Sequence, residues 1–196
     1  MKVERGSTDE KIIVATFSIL QKEGAKKATT KKIAKEAGVN EVTIFRKFET
    51  KNNLIEIVKD YYLEIFISKM REIFDFTGDE EIEEYLKRCF RRVLNLPETD
   101  FSVIKIAMEE VRDIPDKKLL ISNITDSVLV KLEDFFKLQN EKGNIREVNP
   151  KVVALMCFSL IFQSVILWKI YNKDLEFETN YYADDLINIM IEGINP

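Results

Sequence analysis

The chain has 196 residues, 45% of them hydrophobic and 33% charged, with a formal net charge of −4, which allows one large or two small domains with a packed core. It contains no histidine, which removes Ser-His-Asp and Cys-His catalysis, histidine-based zinc sites and an imidazole pH switch. The charge is unevenly distributed: residues 1–52 hold twelve Lys/Arg against seven Asp/Glu, a balance of +5, and the remainder carries −9. A basic N-terminal module on an acidic body suits a local phosphate-binding face without general affinity for nucleic acid.

Six glycines and four prolines fall between long apolar-periodic runs rich in Lys, Glu, Ile and Leu, the pattern of an all-α protein of about nine helices. Two cysteines, Cys89 and Cys157, read as small core hydrophobes of a reducing compartment. No apolar export segment follows the start, MKVERGSTDE, and a cytoplasmic location is expected.

In chain order, Ser7-Thr8-Asp9-Glu10 forms a Ser-x-x-Glu capping box that opens a first helix. That helix buries Ile13, Phe17 and Leu20 and stops at Gly24. Thr29 caps a second helix, whose apolar face is Ile33, Ala34 and Ala37 and whose stop is Gly38. Asn40 caps a third, with Val42, Ile44, Phe45 and Phe48 as its apolar stripe. Two short helices across a tight Gly-containing turn predict a helix-turn-helix, whose second helix enters the DNA major groove. The Thr29 hydroxyl and the amides behind it suit a phosphate oxygen, with Lys31 and Lys32 beside them; a plain cap on a solvated face is the alternative.

The pattern Gly24, Thr29, Ile33-Ala34, Ala37-Gly38-Val39-Asn40, Thr43-Ile44-Phe45, Phe48, Lys51 and Leu54 resembles the DNA-binding domain of the TetR (tetracycline-repressor-like) family. Position by position, the resemblance implies base or phosphate contacts from Lys31, Glu41, Val42, Thr43, Phe45, Lys47 and Lys51. Asn40 replaces a frequent serine and remains a competent cap. Phe45 stands where a tyrosine is usual, so a phosphate-reaching hydroxyl is missing, and Lys47 replaces a His or Tyr. Glu41 suits cytosine N4 or, more plainly, the positive end of its own helix. Arg46 faces phosphate or solvent, whereas Ile33, Ala37, Val39, Ile44 and Phe48 are core.

Thr50 caps a fourth helix, with Lys51 at its head, running to about Phe76 and burying Leu54, Ile55, Val58, Tyr62, Ile65, Phe66 and Phe74. This helix would link a DNA-binding domain, 1–52, mechanically to a larger helical domain for ligand binding and dimerisation, 53–196. Thr77-Gly78-Asp79 caps a fifth helix, near 80–95. Asp100 caps a sixth, about 101–113, and Pro115 opens a seventh that Gly143 stops. The polar middle of the seventh, Ser122 to Ser127, reads mainly as a solvated face.

Asn149-Pro150 opens an eighth helix, in which Val152 to Trp168 are seventeen residues without a charge. A membrane span needs roughly 20, and Ser159, Gln163 and Ser164 interrupt the run, so a helix buried on several sides is expected and no membrane partner. With a ninth helix, about 181–194, it forms half of a four-helix dimer interface using Val152, Met156, Gln163, Leu186, Ile189 and Met190. The resemblance implies the same pair of helices, and an effector pocket for which Phe66, Met70, Phe90, Phe101, Met108, Phe158, Phe162 and Trp168 are candidates; singly, each is as readily ordinary core.

Together these features imply a homodimeric regulator that binds a palindromic operator in double-stranded DNA, most simply a repressor released by a small, largely apolar effector. No cofactor, metal or catalytic group is called for. A small-molecule-sequestering protein on the same scaffold is the rival, and an all-α enzyme a distant third.

Overall fold

The computed structural model describes residues 4–110, 120–171 and 179–194. Among them the chain is helical throughout, without a strand: α1 (Thr8–Glu23), α2 (Thr30–Ala37), α3 (Glu41–Phe48), α4 (Lys51–Ile73), α5 (Ile82–Leu94), α6 (Ser102–Glu110), α7 (Leu120–Glu141), α8 (Pro150–Val165) and α9 (Thr179–Ile194). A 3-10 turn, Glu98–Phe101, precedes α6, and a π-helical turn, Ile166–Ile170, extends α8. Pro115 and the expected end of the sixth helix lie outside the described residues.

Packing divides the chain into two units, one ending at Phe66 but also taking in α6, the other made of the rest. The first therefore reaches beyond the 1–52 segment that charge sets apart. Its core joins Ile12, Ile13, Phe17 and Leu20 of α1 to Ile33, Ile44, Phe48, Leu54 and Val58, and Ile106 of α6 enters the same cluster. The α1 cap forms as its sequence indicates, with the Glu10 amide donating to Ser7 Oγ at 3.1 Å. The reciprocal bond shifts by one residue, because the Glu10 carboxylate accepts from the Gly6 amide. Phe17 stacks on Tyr62, centroids 3.4 Å apart, and burial pushes the Tyr62 hydroxyl pKa above its ordinary value. Two expectations fail here. Ile65 is 38% exposed instead of buried, and α4 ends at Ile73, short of Phe76.

In the second unit α5 closes the end of α4. Tyr85 Oη donates to the Phe74 carbonyl at 3.0 Å and Cys89 Sγ to that of Ile73 at 3.3 Å. Arg88 donates to the carbonyls of Ile73 (3.1 Å) and Asp75 (3.0 Å). Carbonyls left over by the last helical turn thus find partners on a neighbouring helix. Thr77-Gly78-Asp79 does not cap α5, which begins after Glu81 without a side-chain cap. Asp100 does not cap α6 either: its carboxylate holds Lys69 at 2.7 Å. In the polar middle of α7, Ser127 returns its hydroxyl to the Ile124 carbonyl at 2.8 Å.

The Asn149 cap and the Pro150 start of α8 are present, the Lys151 amide donating to Asn149 Oδ1 at 3.0 Å. The helix Pro150–Ile170 is long and apolar enough to cross a membrane, and 39% of its most apolar window is buried. Val153, Ala154, Cys157 and Ile161 form its inner face; Val152, Leu155 and Met156 stand half exposed. One side, not several, is therefore covered.

Cys89 and Cys157 are both buried free thiols, and burial pushes each up to about 12. At pH 8 neither should react with iodoacetamide in the folded protein, and both should react once it is unfolded. Native-state labelling at the rate of the unfolded chain would contradict this burial.

Candidate nucleic-acid interface

The helix-turn-helix is built from two helices of eight residues, each held by side-chain caps at its start. Thr29 Oγ1 accepts from the Lys32 amide at 3.3 Å, which leaves its own O–H to donate. Gly38, with φ 66° and ψ 35°, occupies the left-handed region that lets α2 end abruptly, and the Val39 amide returns to the Ala34 carbonyl at 3.0 Å. Asn40 Oδ1 then accepts from the Val42 amide at 2.9 Å, opening α3.

The packing of α3 separates its apolar residues into two groups. Ile44 and Phe48 are buried, whereas Val42 is 70% and Phe45 47% exposed. The four-membered apolar stripe expected from spacing is therefore two residues inward and two outward. Arg46 and Lys47 are exposed; Glu41 and Thr43 are half buried.

Several charged residues proposed as contacts already have partners within the unit. Thr30 donates its hydroxyl to the Glu41 carboxylate, tying the start of α2 to the start of α3. Lys47 Nζ sits 2.6 Å from Asp9 of α1, and Lys32 Nζ 2.6 Å from Glu23. The hydrogen bond from Lys32 holds the Glu23 carboxyl below its ordinary range. Arg46 and Lys31, both exposed, make no ion pair among the described residues. Lys51, at the first position of α4, is half buried, behind a cap in which the Asn53 amide donates to Thr50 Oγ1 at 3.0 Å.

Asp9, Thr30, Glu49 and Asn53 are absent from the sequence-derived set. Asp9 and Thr30 act through contacts distant in sequence, which no local spacing reveals. Glu49, between α3 and α4, adopts φ 63° and ψ −56°, and the Thr50 amide donates to the Phe48 carbonyl at 2.6 Å across it. This is a strained γ-turn on a non-glycine residue. Asn53 Nδ2 secures it by donating to the same Phe48 carbonyl at 3.0 Å.

In the second unit, a groove of about 480 Å³ runs along α8 and α9. Val152, Met156, Leu186, Ile189 and Met190 line it, five of the six residues assigned to dimerisation; Gln163 does not. Ile189 is 71% exposed but Met190 only 7%, its sulfur 3.2 Å from Cys157 Sγ, so Met190 is mainly core. None of the eight effector-pocket candidates lines this groove. Phe66, Met70, Phe90 and Phe101 are buried, Met108 is exposed, and Phe158, Phe162 and Trp168 are half buried. Phe66 and Met108 belong to the first unit and the other six to the second.

A capped α2, a glycine turn and a largely solvent-facing α3 on a basic head define a helix-turn-helix protein of the DNA-binding class. Residues 12–58 match the family described as "Bacterial regulatory proteins, tetR family". The chain is 31% identical over 157 residues to the "Uncharacterized HTH-type transcriptional regulator YvkB" of Bacillus subtilis (strain 168), covering 79% of each protein. It belongs to the TetR family of transcriptional regulators. It also shares 22% identity over 186 residues, 94% of each chain, with the "Fatty acid metabolism regulator protein" of the same organism. The solved structure of AibR in complex with isovaleryl coenzyme A and operator DNA has the same fold, with a TM-score of 0.66, 18% identity, and coverage of 94% of this chain and 98% of that one.

Replacing Glu49 by glycine removes the backbone strain and should stabilise the protein by about 1 kcal/mol, net of the extra freedom of the unfolded chain. Denaturant melts of wild type and Glu49→Gly check this; an unchanged or lowered midpoint would place Glu49 in a relaxed conformation.

Proposed function

We propose that the protein is a homodimeric, effector-responsive repressor that binds a palindromic operator through α3 and is released by a small, largely apolar ligand. The observation that carries the reading is α3 itself, short and capped, anchored by Ile44 and Phe48 with its opposite face in water. One such head covers little DNA. Two heads related by a two-fold axis read half-sites about 34–36 Å apart, or at a multiple of that distance.

The apolar groove on α8 and α9 supports dimerisation, since Val152, Leu155, Met156 and Ile189 leave large apolar side chains in water. Phosphate attraction comes from Thr29, Lys31, Arg46 and Lys51 and from the first amides of α2 and α4. Lys32 and Lys47 reach phosphate only by leaving Glu23 and Asp9. Asn40 and Glu41 position α3, and Thr43, Val42 and Phe45 meet base edges.

An effector among the helices of the second unit, near Met70, Phe90, Phe101, Phe158, Phe162 and Trp168, favours one packing of that unit. Carried through α4, that preference changes the separation of the heads, and operator occupancy falls by the ratio of the effector's affinities for the two states. The fatty acid regulator and the isovaleryl-CoA complex among the relatives make an acyl compound the first effector to try. A role in transcription places the protein in the cytoplasm, and no catalytic step is assigned to it.

Selection from a random duplex library should enrich an inverted repeat. Log affinity for it should fall linearly with log salt, and Lys51→Ala should reduce the slope by about one per subunit while weakening all duplexes alike. No enriched site would leave the sequestering protein as the better account. Separately, Ile189→Asp should convert the protein to a folded monomer with little operator affinity, as read by light scattering and circular dichroism; an intact dimer would move the interface elsewhere.

A further inference from the structure

We propose that α3 reads the 5-methyl groups of thymine through Val42 and Phe45, so that each operator half-site presents thymines in the major groove where these two side chains land. The inference rests on the DNA-binding reading above and makes it specific.

Ile44 and Phe48 fix which side of α3 faces inward. Val42 and Arg46, one turn apart, then lie on the far side, with Thr43 and Phe45 flanking them. Val42 is 70% and Phe45 47% exposed, so the outward surface of an otherwise basic head carries two large apolar side chains. Their neighbourhood is suited to a polyanion: residues 1–52 carry +5, and Lys31 and Arg46 stand exposed. That charge favours a duplex over an apolar protein surface as their partner.

The hydrogen-bonding alternatives on the same helix are fewer, and the exposed Arg46, able to read guanine or to meet phosphate, is the one long donor of α3 without an ion pair among the described residues. α3 contains neither Asn nor Gln, the side chains that read adenine in bidentate fashion, and the Oδ1 of the preceding Asn40 holds the Val42 amide. Glu41, the side chain able to accept from cytosine, takes the Thr30 hydroxyl instead. Lys47, able to donate to guanine, is 2.6 Å from Asp9. Thymine is the one DNA base with an apolar group on its major-groove edge, and Val42 and Phe45 are the apolar groups that face outward.

The test uses the full-length protein and the duplex it selects from a random library. Each thymine of a half-site is replaced singly by deoxyuridine, which keeps every hydrogen bond and removes only the methyl group. Affinity should fall about fourfold at each contacted thymine, the effect of one buried methyl. The loss at a given thymine should disappear in either Val42→Ala or Phe45→Ala, whichever residue covers it, with circular dichroism showing that the exposed-site variants remain folded. Half-sites without thymine, or indifference to deoxyuridine throughout, would overturn the inference and leave the DNA-binding reading standing. Losses that persist undiminished in both variants would also overturn it, assigning the effect to DNA deformability. Failure to select any duplex would remove the DNA-binding reading and this inference with it.

Discussion

The helix-turn-helix depends on the burial of Ile44 and Phe48. A helix of eight residues has no stability of its own in water, since isolated helices below roughly 12–15 residues are marginal. Both α2 and α3 are that short. They persist because caps and Gly38 satisfy their ends, and because Ile33, Ile44 and Phe48 bury their inner faces in one core with α1 and α4. Truncating Phe48 would be felt as lost core, of the order of 3–5 kcal/mol, before it was felt as lost recognition.

The same anchoring sets the rotation of α3, and polar contacts then hold it there. The Thr30–Glu41 bond joins the beginnings of the two helices, and the Lys47–Asp9 pair joins the last turn of α3 to the first of α1. Both pairs are partly exposed, so neither adds much to stability. Their effect is selective: they engage side chains that would otherwise compete to define what α3 touches. What remains in water without an ion pair is a surface of Val42, Phe45 and Arg46, flanked by the half-buried Thr43, with α4 following immediately across the Glu49 turn.

Much of this was legible because the signals are local. Ser7, Thr29, Asn40 and Asn149 cap helices through bonds spanning two or three residues, and Gly24, Gly38 and Gly143 end them with positive φ. The TetR pattern, too, is a set of short spacings. The cation partners were not legible. Lys47 with Asp9, and Lys69 with Asp100, are separated by long stretches of chain, and nothing in helical periodicity pairs them. Nor does periodicity alone tell inward apolar residues from outward ones when a helix is apolar on more than one side: Ile65 lies in the apolar series of α4 yet stands 38% exposed, and Val42 and Phe45 share the stripe of Ile44 and Phe48 yet face water.

The α8–α9 surface shows the same ambiguity from the other direction. Ile189 and Met190 are adjacent and equally apolar, yet one stands in water and the other touches Cys157. Along α8, the inner residues Val153, Ala154, Cys157 and Ile161 alternate with an outer series, Val152, Leu155, Met156, Ser159 and Gln163, at helical spacing. The outer series is apolar for its first turn and polar after it. A soluble monomer gains nothing from an apolar outer turn, and a membrane helix would be expected to continue it beyond Met156. The face is apolar over a limited patch bordered by Arg146 and Asn149, and in the proposed dimer a two-fold axis would set the same residues of a second copy against it.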